Sequence, residues 1–201
     1  MVTTPDPYAR LADALKQAPG PSSDFDLNTN VELPKGRKLR PAGVLFAVQE
    51  TENGLQVILT KRSSALKHHP GQIAFPGGKV DATDTGPIDA ALREAHEEIG
   101  LAPENVDVLG TLPDHETVTG FLVTPVLGRV KSRFITRPEP GEVDEVFTTP
   151  LAHITDVSNF QIQSRLWRGT RRYYYVVPYG PYYIWGATAR ILRGFAERLV
   201  P

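Results

Sequence analysis

Apolar positions recur along this chain at two spacings, and the change from one to the other marks its elements. Ala42–Gln49 and Leu55–Thr60 are near-continuous apolar runs of strand length. Between them, Glu50–Gly54 ends in Asn53-Gly54, a dipeptide suited to a tight hairpin. Ile73-Ala74-Phe75 reads as a short strand running into the loop Pro76-Gly77-Gly78. Val106–Leu112 and Phe121–Val130 are further strands, parted by the polar loop Pro113–Gly120. Val143–Thr149 follows a Pro/Gly turn at 136–142, and the Arg165–Val177 stretch is β with a turn at Arg168-Gly169-Thr170. Three segments carry helical spacing instead. Residues 7–17 set Tyr8, Leu11 and Leu15 on one side; a helix opens at Pro87; Ala187–Val200 turns Ile191, Phe195 and Leu199 inward. Strands broken by helices in this way predict an α/β fold with a mixed sheet sandwiched between helices.

Residues 18–40, rich in Pro, Ser, Asp and Asn, read as a linker or surface arm. The expected division is therefore an N-terminal helix and extended arm at 1–40 and one catalytic-sized domain at 41–201. With 201 residues, 40% of them hydrophobic, the chain has enough apolar surface for one good core. The net charge of −1 gives no pull toward nucleic acid or membrane. Cysteine is absent, which removes disulfides, thiolate metal sites and cysteine nucleophiles. Met1-Val2-Thr3-Thr4-Pro5-Asp6 lacks the basic and apolar regions of a signal peptide, and no run approaches a membrane span. A soluble cytoplasmic protein is expected.

The helix from Pro87 carries the chemistry. At about 100° per residue, Ile88, Ala91, Leu92, Ala95 and Ile99 form an apolar stripe, and Gly100 closes the C-terminus. Glu94, Glu97 and Glu98 share a neighbouring arc. Three like charges there repel unless a cation joins them, and a hard divalent ion such as Mg²⁺ fits carboxylate and phosphate oxygens.

Arg93-Glu94-Ala95-His96-Glu97-Glu98-Ile99-Gly100-Leu101 resembles the second half of the Nudix box, with Ala95 in a position that usually holds a bulkier aliphatic residue. Counting from Gly78, Asp84 takes the place of the box glutamate, and residues 85–92 separate it from Arg93 where the pattern has one residue fewer. Asp84 is expected to pair with Arg93, with Asp81 as the alternative. The segment Leu59–Gly78, including Lys61-Arg62, His68-His69-Pro70-Gly71-Gln72 and Phe75-Pro76-Gly77-Gly78, is similar to the extended signature of the coenzyme A diphosphatase branch. The similarity continues at Val118–Val126, Glu142–Phe147 and Ile184–Ala189.

The resemblance implies the Nudix α/β/α sandwich, a Mg²⁺ or Mn²⁺ cofactor, and hydrolysis of the pyrophosphate bond of coenzyme A or its thioesters. ADP-ribose or NADH hydrolysis, or a non-catalytic ligand sensor, is the alternative. Glu94 and Glu98 are the expected principal metal ligands. Glu97 is a further ligand or the base that orients water, Gly78 a backbone neighbour of the ion, and Glu142 a further ligand or general base. Glu145 shares that last candidacy. Lys61, Arg62, Lys67 and Gly77 are the expected substrate-binding residues. With His68 and His69, these cations are expected to recognise the 3′-phosphate of coenzyme A by charge-assisted bonds. His68 and His69 are not expected to be metal ligands, because adjacent side chains point apart. Trp185 and Tyr173–Tyr175 are expected in the core. The partner is then a small nucleoside diphosphate derivative, with no nucleic acid or membrane, and an exchangeable arm would suit a homodimer.

Overall fold

A computed structural model describes residues 6–17, 20–31, 33, 36–167 and 169–199. Arg168 of the expected turn, Val200 of the expected last helix and parts of the 18–40 segment lie outside these. The elements run α1 (Ala9–Lys16), β1 (Ser22–Ser23), β2 (Arg40–Thr51), β3 (Gly54–Arg62), β4 (Ile73–Ala74), β5 (Gly77–Lys79) and α2 (Pro87–Ile99). They continue as β6 (Val106–Thr111), β7 (His115–Glu116), β8 (Phe121–Val130), β9 (Val143–Pro150) and α3 (Leu151–Thr155). The chain ends with β10 (Gln161–Trp167), β11 (Thr170–Tyr179), β12 (Tyr182–Trp185) and α4 (Ala187–Leu199).

β2 is the spine, and its alternation explains the layers. Leu45 and Ala47 enter one core cluster with Ala91, Ala95 and Ile99 of α2. Phe46 and Val48 point the other way, into a cluster with Leu192 and Phe195 of α4 and with Leu11 of α1. Successive strand side chains face opposite sides, so a strand covered by helices on both faces reads as the unbroken apolar run seen at 42–49. Phe46 and Phe195 are both almost fully buried and meet edge to face at 5.0 Å. Burying one such ring is worth about 1.5–3 kcal/mol. The sheet is mixed. β2 runs parallel to β8 and antiparallel to β3, while β9 pairs antiparallel with β3. This is an α/β/α sandwich with a mixed sheet between helices. A separate antiparallel sheet holds β10, β11 and β12 in that order.

Several local expectations change in three dimensions. Gly77 and Gly78 are strand rather than loop, because β5 pairs antiparallel with Ala42–Val44 of β2. Ile88 is 42% exposed, not part of the inward stripe. It sits in the first helical turn, and burial begins at Ala90 and Ala91. The arm is integrated into the fold. Ser22-Ser23 pair in parallel with His115-Glu116, and buried His115 bridges Ser22 Oγ at 2.9 Å and Asp24 Oδ1 at 3.2 Å. Asn28 bonds both backbone groups of Tyr173, each at 2.8 Å. Among the described residues no helix is long and apolar enough to cross a membrane.

Candidate active site

α2 lies over β2 and β5, and this packing buries one edge of its acidic arc. Glu98 lies seven residues beyond Ala91, nearly in line with it on the helix. It is therefore carried into the protein and left only 5% exposed. Its Oε2 accepts the Gly77 N–H at 3.0 Å. Glu94, one turn earlier, has a 16% exposed side chain, and Glu97 on the outer edge has 56%. The Glu94 carboxylate rests directly on Gly78. A Cβ at that position would stand 2.4 Å from Glu94 Oε1, so only glycine leaves the carboxylate its place. Gly77 holds φ at 151°, where a Cβ would meet the Gly43 carbonyl at 2.4 Å.

Arg93 organises the exposed side of the helix. Its Nε and Nη2 bond the two carboxylate oxygens of Asp84 at 2.8 and 2.9 Å. Nη1 reaches Glu94 at 3.1 Å and Glu97 at 3.0 Å. Asp84 therefore takes the role the shorter side chain and longer loop had left open. Asp81 stands 4.0 Å from Arg93 and instead donates its backbone N–H to Asp84 at 2.7 Å. The Arg93 guanidinium and that N–H hold the Asp84 carboxyl down at about 2, and the Asp84 and Glu94 carboxylates in turn raise Arg93 above its ordinary value.

Glu98 behaves in the opposite way. Burial pushes its carboxyl up to about 7, with Glu94 and Glu142 adding repulsion against the pull of the Gly77 N–H and of Arg62. Burial likewise raises Glu94, helped by Glu97 and Glu142 and opposed by Arg93. Glu142 itself is exposed. Its loop is tied to the end of α2, where Arg137 and Glu139 N–H groups each reach a helix carbonyl, of Ile99 and Glu98, at 2.9 Å. That tether brings Glu142 toward Glu94 and Glu98. Glu145 is engaged elsewhere, accepting the Tyr182 hydroxyl at 2.6 Å.

Among the described residues, no three His, Cys, Asp or Glu side chains converge closely enough to form a ready metal cluster. Glu94 and Glu97 are turned toward Arg93, and Glu142 rides on an exposed loop. The donor chemistry still fits Mg²⁺ or Mn²⁺. Glu98 has no ion-pair partner among the described residues, and Mg²⁺ commonly takes one or two carboxylates and completes its shell with waters and substrate phosphates.

The basic segment divides. Arg62, at the end of β3, acts on both Glu98 and His69 and so stands between the carboxylates and a neighbouring cavity. Lys61 lies opposite Glu145 in register, and its charge is felt by Asp144. Lys67 is exposed on its loop. The cavity holds about 570 Å³ and does not include the carboxylates themselves. It joins them through Val44, the register partner of Gly77. Trp185, Tyr173 and Tyr174 line it rather than the core, which Tyr175 does join. Tyr173 shares a strand face with Tyr175 yet is 45% exposed, and Tyr174 lies on the opposite face. Arg165, Trp167 and Arg172 also line the cavity, and sequence reasoning missed them. Their period-two spacing with Tyr174, cation beside ring on one strand face, was the available signal.

Residues 38–168 match the family model described as NUDIX domain. The chain is similar to the protein named Uncharacterized Nudix hydrolase NudL of Enterobacter sp. (strain 638), with 43% identity over 161 residues, 80% of this chain and 83% of that one. The Salmonella paratyphi B protein of the same name is 42% identical over the same shares. Among solved structures, the MutT protein from Methanosarcina mazei Go1 superposes with a TM-score of 0.51 at 19% identity, covering 83% of this chain and 96% of that chain, a likeness of fold. The chain belongs to the Nudix family, and its relatives are named as Nudix hydrolases.

Proposed function

We propose that this protein hydrolyses the anhydride bond of a nucleoside diphosphate-linked substrate with a divalent ion, and that coenzyme A or a thioester of it is the preferred member of that class. The observation that carries the metal-dependent reading is the buried Glu98 carboxylate, 5% exposed, without an ion-pair partner among the described residues and facing Glu94 and Glu142. The similarity of Leu59–Gly78 to the coenzyme A diphosphatase signature supports the choice of substrate.

Glu94 and Glu98 are the residues that would hold Mg²⁺ or Mn²⁺, with the Gly78 backbone beside them and Glu97 or Glu142 as further carboxylates. Bound there, such an ion would supply charge to offset the diphosphate oxygens and would make water more nucleophilic near neutral pH. The chain's own contribution is placement. The Gly77 N–H fixes the Glu98 carboxylate, Gly78 leaves room for that of Glu94, and Asp84 holds Arg93, which in turn orients Glu94 and Glu97. Glu142, exposed and near the other two, would serve as a further ligand or as the base that takes the proton from attacking water. Arg62 neutralises charge on the substrate diphosphate. Lys61 and Lys67 line neither the carboxylates nor the cavity as the chain is arranged here, and their part in substrate binding would be through charge at a distance.

The deciding experiment incubates the protein with coenzyme A, ADP-ribose and NADH, each with Mg²⁺ and with Mn²⁺, and identifies products by mass spectrometry. Release of 3′,5′-ADP and 4′-phosphopantetheine from coenzyme A at the highest kcat/KM is expected. Faster cleavage of ADP-ribose or NADH would move the substrate within the class. No cleavage of any of the three would make the fold a binding module.

A further inference from the structure

Arg165 and Arg172 are direct cross-strand partners in the β10–β11 pair. Like charges placed opposite one another in an antiparallel pair repel and are destabilising. Neither makes an ion pair with a carboxylate among the described residues, and the Arg172 Nε is buried without a hydrogen-bond partner. Each guanidinium is instead stacked on an indole: Arg165 lies 4.6 Å from the Trp185 ring centre and Arg172 lies 4.2 Å from that of Trp167. All four side chains line the 570 Å³ cavity beside the carboxylates.

A cross-strand pair of cations, repelling and without a counter-charge, has the chemistry of an anion clamp. Both arginines are fixed by their rings, so their donors are already oriented before a ligand arrives, and arginine matches a phosphate with paired hydrogen bonds. Burial and the nearby Arg62, His68 and Arg165 push the His69 imidazole down toward its neutral form, so the positive charge on this wall is that of the arginines. Asp24, the acidic residue in the lining, is committed elsewhere. It accepts the Val118 N–H at 2.8 Å and lies 3.2 Å from His115 Nε2. The same walls carry Tyr174 and Trp185, whose rings stand 5.2 Å apart, a surface suited to a flat base.

We infer that Arg165 and Arg172 form a subsite for a phosphomonoester carried next to a planar aromatic ring, and that this pair selects the 3′-phosphoadenosine end of the substrate. The assignment rests on the coenzyme A reading above. It moves 3′-phosphate recognition away from Lys61, Arg62 and Lys67, leaving Arg62 with the diphosphate. It also explains why the cavity lies beside the carboxylates instead of over them: the recognised phosphate and the hydrolysed bond are at different places on one extended molecule.

The test uses a property of this chain. It has two tryptophans, Trp167 and Trp185, and both line the cavity, so intrinsic tryptophan fluorescence reports on this cleft. Metal-free protein is titrated with adenosine 3′,5′-bisphosphate and with adenosine 5′-monophosphate. The bisphosphate is expected to bind about ten- to hundredfold more tightly, and R165Q and R172Q are each expected to remove most of that gap. In parallel, the kcat/KM ratio of coenzyme A to 3′-dephospho-coenzyme A is expected to fall toward one in both variants. Melting temperatures check that both variants are folded, and loss of a repelling charge should not lower them by more than a few degrees. Equal affinity for the two nucleotides in the unaltered protein, or an undiminished gap in both variants, overturns the subsite. If the bisphosphate binds as expected but coenzyme A is never cleaved, the clamp stands as a phosphate subsite and the choice of coenzyme A as substrate falls. If coenzyme A is cleaved while both variants keep the full preference, the clamp falls alone.

Discussion

Two carboxylates within one helix length of each other respond to pH in opposite directions, and the residues around them say why. Asp84 is held down at about 2 by Arg93, so its contribution to stability is present above the ordinary carboxylate range and is lost as pH falls toward 2. Glu98 is pushed up from 4.5 to about 7 by burial, so the folded protein binds a proton that the unfolded chain has already released. Stability of the metal-free protein should therefore fall as pH rises from 4.5 to 7, by about 3 kcal/mol in all. Urea denaturation at stepped pH measures this, and Glu98→Gln should flatten the profile across that window. A flat profile in the unaltered protein would refute the buried, partnerless state of Glu98. Asp84→Ala, by freeing Arg93, should lower the melting temperature by several degrees and cut kcat about ten- to a hundredfold, as support residues of metal sites do. Asp81→Ala should have much the smaller effect, because Asp81 meets Arg93 only at 4.0 Å.

At the scale of elements, the site is the contact between α2 and β5. Gly78 has a neighbour that can move, the end of the Glu94 side chain. Gly78→Ala should therefore leave the melting temperature within a few degrees while displacing Glu94 and lowering metal-dependent turnover by orders of magnitude. A variant with turnover near that of the unaltered protein at saturating Mg²⁺ would remove Glu94 from the metal site. Most of this contact was legible in the residues. Apolar spacing placed the strands and α2, and the glycine pair and Glu94, Glu97 and Glu98 stood out. Ile88 and the strand state of Gly77-Gly78 did not. Both depend on where β2 passes beneath the helix, which spacing within one segment does not encode.

The whole molecule is held together around the cavity by its arm. Asn28, 9% exposed, gives both sides of its amide to the backbone of Tyr173, and this joins residues 145 positions apart. Asn28→Ala leaves the part-buried backbone N–H and carbonyl of Tyr173 without these partners, an expected cost of about 1 kcal/mol. It should also loosen the cavity wall. Hydrogen exchange over residues 20–31 and 170–175 should quicken together, and the tryptophan emission should shift to the red. Exchange that quickens in the arm alone would mean the hairpin keeps its shape without it.

By itself, the sequence determined the long strands of the central sheet, the two long helices and the acidic arc, because each rests on periodicity or spacing within a single segment. It also determined that Arg93 needs a carboxylate partner, through the box pattern. Tertiary structure decided which carboxylate that is, because an added residue in the loop can be absorbed in more than one way until the loop closes. It decided that Glu98 is buried while Glu97 is not, since the depth of a helical arc depends on the surface it packs against. It also built the cavity from segments far apart in the chain, with Asp24, Val44, His69, Val118, Arg165 and Trp185 among the residues that line it. Trp185, Tyr173 and Tyr174 read as core from alternation alone. Alternation names the two faces of a strand; only the packing of the β10–β12 sheet against the arm, through Asn28 and Tyr173, decides which of these rings meet a cavity.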